Sequence, residues 1–242
     1  MTVVFVHGVP ETAAVWDEVR ARLDQDSVAL ALPGFGCPLP AGFDAKEDWE
    51  AWLVEELRRL PGPIDLIGHD WGSMLSLRIA VAHGELLRSW AVDIAAVSHP
   101  DYTWHDFATQ LWMTPGAAQQ WMRDTLAHPE EFFGQLAGLG LTAAQAEAMG
   151  AEFDPAMAAA MLALYGSARP NVHADWTWPH PPPAPGTILR PTADPFDDET
   201  LALDTARRLG AGIVEMPGRG HFWMLEDPGQ SASLLRSWLV DR

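Results

Sequence analysis

Five residues, Gly68-His69-Asp70-Trp71-Gly72, constrain this chain more than any other stretch. They follow an apolar run, Ile64-Asp65-Leu66-Ile67, and open a helical pattern from Trp71 to His83. Small residues two places either side of a polar centre are what a tight strand-to-helix turn demands. A Cβ at either flank would strike the neighbouring backbone. Such a turn lifts the central side chain above the end of a sheet, at a helix N-terminus. The helix end favours an anion, so the motif predicts an Asp70 carboxylate with a lowered pKa, held ionised. Simple helix capping by Asp70 would require neither glycine.

The rest of the chain supplies the sheet this turn needs. Val3–Val6, Ser27–Leu32, Ile64–Ile67, Leu87–Ala95, Thr187–Arg190 and Gly212–Met216 read as strands from their β-branched and apolar content. Helical patterns fall at 11–24, 46–60, 71–83, 198–209 and 228–240. Alternating strands and helices with short connections predict an α/β fold: a mostly parallel sheet of about six strands flanked by helices. The rhythm stops between 98 and 175, where turn signals and helical patterns occur without a convincing strand. Asp154-Pro155 is a good helix start, and 155–167 carries Tyr165. The Pro-rich stretch 179–186 reads as a stiff connector. The expected division is therefore a core of residues 1–97 and 176–242 with a helical cap insertion at 98–175. Ser27–Leu32 is expected at a sheet edge, covered by a loop or by a homodimer contact.

Composition narrows the partners. With 15 Lys+Arg against 33 Asp+Glu, the net charge of −18 repels nucleic acid and anionic membranes. No apolar run approaches the roughly 20 residues needed to span a bilayer. The N-terminus lacks a basic, then apolar, leader pattern. The one cysteine, Cys37, has no partner for a disulfide and no zinc-ligand spacing around it. These features point to a cytoplasmic protein without a metal or cofactor. Twelve Trp against two Tyr suggest either core filling or an aromatic pocket rich in indole N–H donors.

Three further signals accompany the turn. His7-Gly8-Val9-Pro10 follows the first strand, where the N–H of Val9 could join that of Trp71 as an oxyanion hole. Gly218-Arg219-Gly220-His221-Phe222 follows the last strand, a setting for an exposed, mobile general base at His221. Asp194 lies between them in sequence, placed to orient that imidazole. Asp197 and Asp198 compete for the part, but stand where the next helix needs its cap. His69 is expected to support Asp70 from behind. His105, His128, His173 and His180 are expected at the surface or as caps.

The order nucleophile, acid, histidine resembles the α/β-hydrolase fold. The Asp-centred G-H-D-W-G is similar to the branch holding epoxide hydrolases and haloalkane dehalogenases. The resemblance implies Asp70, Asp194 and His221 as the catalytic set, and an alkyl ester on Asp70 that His-activated water hydrolyses. It implies a small apolar organic substrate. His7-Gly8-Val9-Pro10-Glu11 looks like the epoxide-hydrolase pattern, whereas Gly72-Ser73 looks dehalogenase-like. Tyr165 falls where an epoxide hydrolase carries a cap tyrosine. A second tyrosine does not: Tyr102 lies at the cap entrance, and the region where the second would stand reads Trp104-His105-Asp106-Phe107-Ala108. An epoxide oxygen needs a proton donor such as Tyr165; a halide needs only N–H donors, for which Trp71 with Trp104 or Trp112 would serve. Epoxide hydrolysis is the favoured expectation, with haloalkane or haloacid dehalogenation and a non-catalytic ligand-binding role as alternatives.

Overall fold

The computed structural model describes residues 1–172, 175–176 and 181–240. Six strands form one sheet: β1 (Thr2–Val6), β2 (Ser27–Leu30), β3 (Ile64–Gly68), β4 (Leu87–Val92), β5 (Gly186–Pro191) and β6 (Gly212–Met216). Their spatial order is β2-β1-β3-β4-β5-β6, and every neighbouring pair is parallel. The central strands β1 and β3 are buried along their whole length, which is why they read as mostly apolar runs; the one charge in β3, Asp65, is paired with Arg88 and Ser89. The chain runs outward from β1 to β2, then returns to place β3 on the other side of β1. That reversal opens a crevice at the carboxyl ends of β1 and β3, the usual site of ligands in open α/β sheets.

Helices cover both faces: α1 (Asp17–Arg20), α2 (Lys46–Arg59), α3 (Trp71–Ala82), then α4 (Ala117–Ala127), α5 (Pro129–Phe133), α6 (Ala143–Ala151) and α7 (Pro155–Ser167), and finally α8 (Glu199–Leu209), α9 (Trp223–Glu226) and α10 (Pro228–Val240). No strand occurs among the described residues of 98–175. This insertion has its own aromatic core, in which the Trp121 ring lies 5.4 Å from Trp112 and 4.9 Å from Phe132. Asp154 caps α7 as expected, its Oδ1 accepting the Met157 N–H at 2.8 Å. The same helix hangs over the strand ends: its Tyr165 ring meets Trp71, the first residue of α3, at 5.2 Å.

Two elements differ from the sequence reading. The helix expected over 11–24 shrinks to a 3-10 turn at Ala13–Trp16 and the single turn of α1. Residues 10–12 instead form the loop that brings the Glu11 carboxylate to the Gly8 N–H at 3.1 Å. Strand β4 stops at Val92 rather than Ala95, because Asp93 turns inward to bond Asp70 and Ile94 takes a left-handed φ of 36°. β2 does lie at an edge, where Arg20 Nη2 donates to the Ser27 carbonyl at 2.9 Å. The start of the Pro-rich connector, with His180, and likewise His173, lies outside the described residues.

Among the described residues, five of the chain's twelve tryptophans spend their indole N–H on holding the fold together. Trp49, Trp90, Trp104, Trp223 and Trp238 all donate their indole N–H inside the protein, to Pro33 O, Ala184 O, Ala168 O, Asp93 Oδ2 and Thr187 Oγ1. None of the described helices is long and apolar enough to cross a membrane.

Candidate active site

Asp70 stands at the turn between β3 and α3 with φ 50° and ψ −120°, a conformation that costs a non-glycine residue about 1–3 kcal/mol. Both flanking glycines are required. A Cβ on Gly68 would come within 2.4 Å of the Gly72 carbonyl oxygen, and one on Gly72 within 2.3 Å of the Val6 carbonyl oxygen. Asp93 holds the strained residue in place, its Oδ1 accepting the Asp70 N–H at 3.0 Å.

The Asp70 carboxylate meets two backbone donors. Oδ1 accepts the Val9 N–H at 2.9 Å. The Trp71 N–H also bonds the carboxylate and favours its charged form. Against the sequence expectation, the pKa of Asp70 rises to about 6. Burial drives it up, and the charges of His221 and His69 with the Trp71 N–H only limit the rise. At neutral pH the group is still mostly ionised.

His221 lies in the loop after β6, and its Nδ1 bonds Asp194 Oδ2 at 2.8 Å. Asp194 sits in the loop after β5, fixed by the Phe196 N–H on its Oδ1 at 2.9 Å. The competitors are occupied elsewhere: Asp198 caps α8, and Asp197 accepts from the Arg190 Nε at 3.3 Å. The histidine is buried rather than exposed, at 4%. Burial alone would lower its pKa, but Asp194 outweighs that and raises it.

A second charge cluster lies directly behind. His69 Nδ1 bonds Asp93 Oδ2 at 2.5 Å, and its Nε2 is 3.1 Å from Glu11 Oε1. Burial opposes a charged imidazole, yet the two carboxylates raise the His69 pKa well above its ordinary value. Asp93 also accepts from Ser73 Oγ and Trp223 Nε1, each at 2.8 Å, and its pKa is held down despite burial. Glu11, His69 and His221 lie close enough to suggest a metal site. Both His69 nitrogens already face carboxylates, and the raised pKa keeps that ring protonated, with no lone pair for a metal. His7 is a separate case. Its Nε2 accepts the Leu32 N–H at 3.0 Å, its Nδ1 donates to Gly8 O at 2.7 Å, and burial lowers its pKa to about 4. It is a neutral brace for the loop that carries Val9.

Above Asp70 is a cavity of about 290 Å³, at the small end for ligand sites. Its apolar wall includes Val97, Phe107, Phe132, Leu136, Phe196 and Phe222, and no Lys or Arg lines it among the described residues. Tyr165 and Trp112 line it as expected. So does Tyr102, which brings a second hydroxyl to the cavity where the sequence suggested one. Burial and the Asp70 charge raise the pKa of both tyrosines. Trp104 forms part of the wall, but its N–H is already given to Ala168 O at 2.9 Å and is unavailable to a leaving group. The indole nitrogen of Trp112 is buried without a hydrogen-bond partner, whereas the Trp71 side chain hydrogen-bonds Tyr165 and limits the rise of its pKa. His105 is a cavity residue as well as a cap.

Sequence reasoning thus missed four members of the site: Glu11, Asp93, Tyr102 and His105. Asp93 had a usable signal, a carboxylate directly after a buried strand at the sheet's carboxyl end. The others are assembled by the insertion and the β1 loop, where sequence distance says nothing about proximity.

A strand–Asp–helix turn and a buried His–Asp pair thus meet at the carboxyl end of one parallel sheet. The chain matches the alpha/beta hydrolase family over residues 3–234 and belongs to that family. Among solved structures it resembles the Cif epoxide hydrolase from Acinetobacter nosocomialis, with TM-score 0.79, 18% identity and coverage of 99% of this chain and 82% of that one. It also resembles the haloalkane dehalogenase DbeA from Bradyrhizobium elkani, with TM-score 0.73, 19% identity and coverage of 99% and 90%. In sequence it is 29% identical over 93 residues to the (E)-2-((N-methylformamido)methylene)succinate hydrolase of Acinetobacter baylyi. That match spans 37% of this chain and 35% of that protein.

Proposed function

We propose that this hydrolase opens small, neutral epoxides to diols, using Asp70 as nucleophile. The carboxylate attacks an epoxide carbon, the C–O bond breaks, and the oxygen takes a proton from Tyr165 or Tyr102. The result is an alkyl ester on Asp70 and a tyrosinate. His221, oriented by Asp194, then removes a proton from water, and the hydroxide attacks the ester carbonyl. The Val9 and Trp71 N–H groups, which hold the resting carboxylate, receive the oxyanion. Collapse releases the diol oxygen, which takes the proton back from His221. The acid left on Asp70 returns its proton to the tyrosinate. The helical insertion 98–175 acts as the cap that carries both tyrosines over the nucleophile.

The observation that carries this reading is the pair of tyrosines in one cavity with Asp70. An alkoxide is too basic to leave unprotonated, and two phenols are the donors such a step needs. Their timing also fits. The Asp70 charge helps hold both hydroxyl pKa values up in the resting state. Alkylation neutralises that charge, so each phenol becomes more acidic as its proton is needed. Loss of the same charge lowers the His221 pKa, freeing it to act as a base in the second step.

One observation favours haloalkane dehalogenation as a second reading. The indole rings of Trp71 and Trp112 both border Tyr165, with ring distances of 5.2 and 4.7 Å, and Trp112 lines the cavity with its N–H unpaired. A halide leaving group would need such donors and no proton. The lack of a lining Lys or Arg among the described residues disfavours haloacids. Incubation with styrene oxide and with 1-bromobutane tests the two together. Diol without bromide release supports the proposal, and bromide without diol refutes it.

A further inference from the structure

Six polar side chains line the cavity, and two of them have no part in the steps above: Gln135 and His105. Gln135 lies at the exposed rim with its amide nitrogen on the Glu131 carbonyl at 2.8 Å. His105 is half-buried inside. Its Nδ1 accepts the Ala108 N–H at 3.2 Å, capping the π-helical turn Ala108–Trp112 that carries Trp112 into the cavity. An accepting Nδ1 leaves the proton of the neutral ring on Nε2. Burial and the positive charge of His221 both push the His105 pKa down, which keeps that neutral form at neutral pH. No acceptor for this Nε2–H exists among the described residues. The His105 ring packs 5.0 Å from Phe196, and Phe196 packs 5.0 Å from His221. The free donor is thus one aromatic ring away from the base that activates water.

We infer that His105 is a specificity residue: its Nε2–H donates to an oxygen on the substituent beside the epoxide ring. The preferred substrates are then epoxides bearing a nearby ether, hydroxyl or carbonyl oxygen, rather than plain hydrocarbon epoxides. The oxygen must be uncharged. Among the described residues no Lys or Arg lines the cavity to receive a carboxylate, the one imidazolium there, His221, is already paired with Asp194, and Asp70 would repel an anion. This inference rests on the epoxide reading proposed above.

The test compares phenyl glycidyl ether with 4-phenyl-1,2-epoxybutane, which replaces the ether oxygen by a methylene. Binding is read by tryptophan fluorescence in an Asp70→Asn background, so it does not depend on turnover. His105→Phe keeps a ring in place, and His105→Ser keeps a cap for Ala108. In both, the Kd of the ether should rise about five- to tenfold more than that of the all-carbon ligand, as loss of one neutral hydrogen bond implies. Parallel weakening of both ligands would overturn the inference and mark His105 as packing. A binding ratio that stays put, with kcat on both substrates falling in the His105 variants that retain Asp70, would also overturn it, by making His105 a donor to the leaving oxygen. Failure of the unmutated protein to open either epoxide would refute the epoxide reading, while the Kd ratio still decides the place of His105.

Discussion

Tyr165→Phe isolates the step on which the proposed chemistry depends. The departing alkoxide is about as basic as hydroxide, whose conjugate acid has a pKa of about 15.7, whereas a phenol sits near 10. Each pKa unit corresponds to about 1.4 kcal/mol, so the proton donor removes a barrier of several kcal/mol. General acids contribute roughly 10²–10⁴-fold, or about 3–5 kcal/mol. Tyr102 remains in the same cavity in the single variant. Tyr165→Phe should therefore fall near the lower bound, about 10²-fold, and the double variant with Tyr102→Phe near the upper, about 10⁴-fold. The fold should tolerate the change. The Tyr165 ring packs on Trp71, Trp104 and Trp112 at 5.2, 5.3 and 4.7 Å, and phenylalanine keeps every one of those contacts. The same three indoles provide the assay, since formation of the alkyl ester beside them should change their fluorescence in stopped flow. Diol yield is measured in parallel. A Tyr165→Phe enzyme that forms the ester at the wild-type rate would refute the reasoning and advance the halide reading.

Three further outcomes are expected. With Asp70 titrating at about 6 and the ionised form acting as nucleophile, kcat/KM should be level above that pH and fall tenfold per unit below it; a profile unaffected between pH 5 and 7 would exclude Asp70. His221→Gln should stop the second step only, leaving a protein whose mass is increased by that of the epoxide, and an absent adduct would show that another group activates water. Trp223→Phe removes the indole donor to Asp93, which sits 2.8 Å away and is fully buried, so unfolding measured in urea should show a loss of about 1–3 kcal/mol; wild-type stability would show that the cluster at Asp93 does not need it.

The sequence by itself determined the sheet and its turn. Strands β1, β3 and β5 are legible because a parallel strand buried on both faces is mostly apolar, and Gly68 and Gly72 because no side chain fits there. The Asp194–His221 pair was legible from its place after two successive strands, since a sheet gathers such loops at one end. What tertiary structure decided are the properties that come from burial and from contacts between distant segments. The Asp70 pKa reversed direction because desolvation outweighs the helix end, and no local pattern reports how deep a carboxylate will lie. The helix expected at 11–24 gave way because Glu11 is drawn to Gly8 and His69. Trp104 could not be told from Trp112 by sequence. Only the folded insertion decides that one indole is spent on the Ala168 carbonyl while the other remains free beside Tyr165. Tyr102 and His105 enter the cavity for the same reason: the path of the insertion over the strand ends is set by how its aromatic core packs, a property of three-dimensional shape rather than of local sequence.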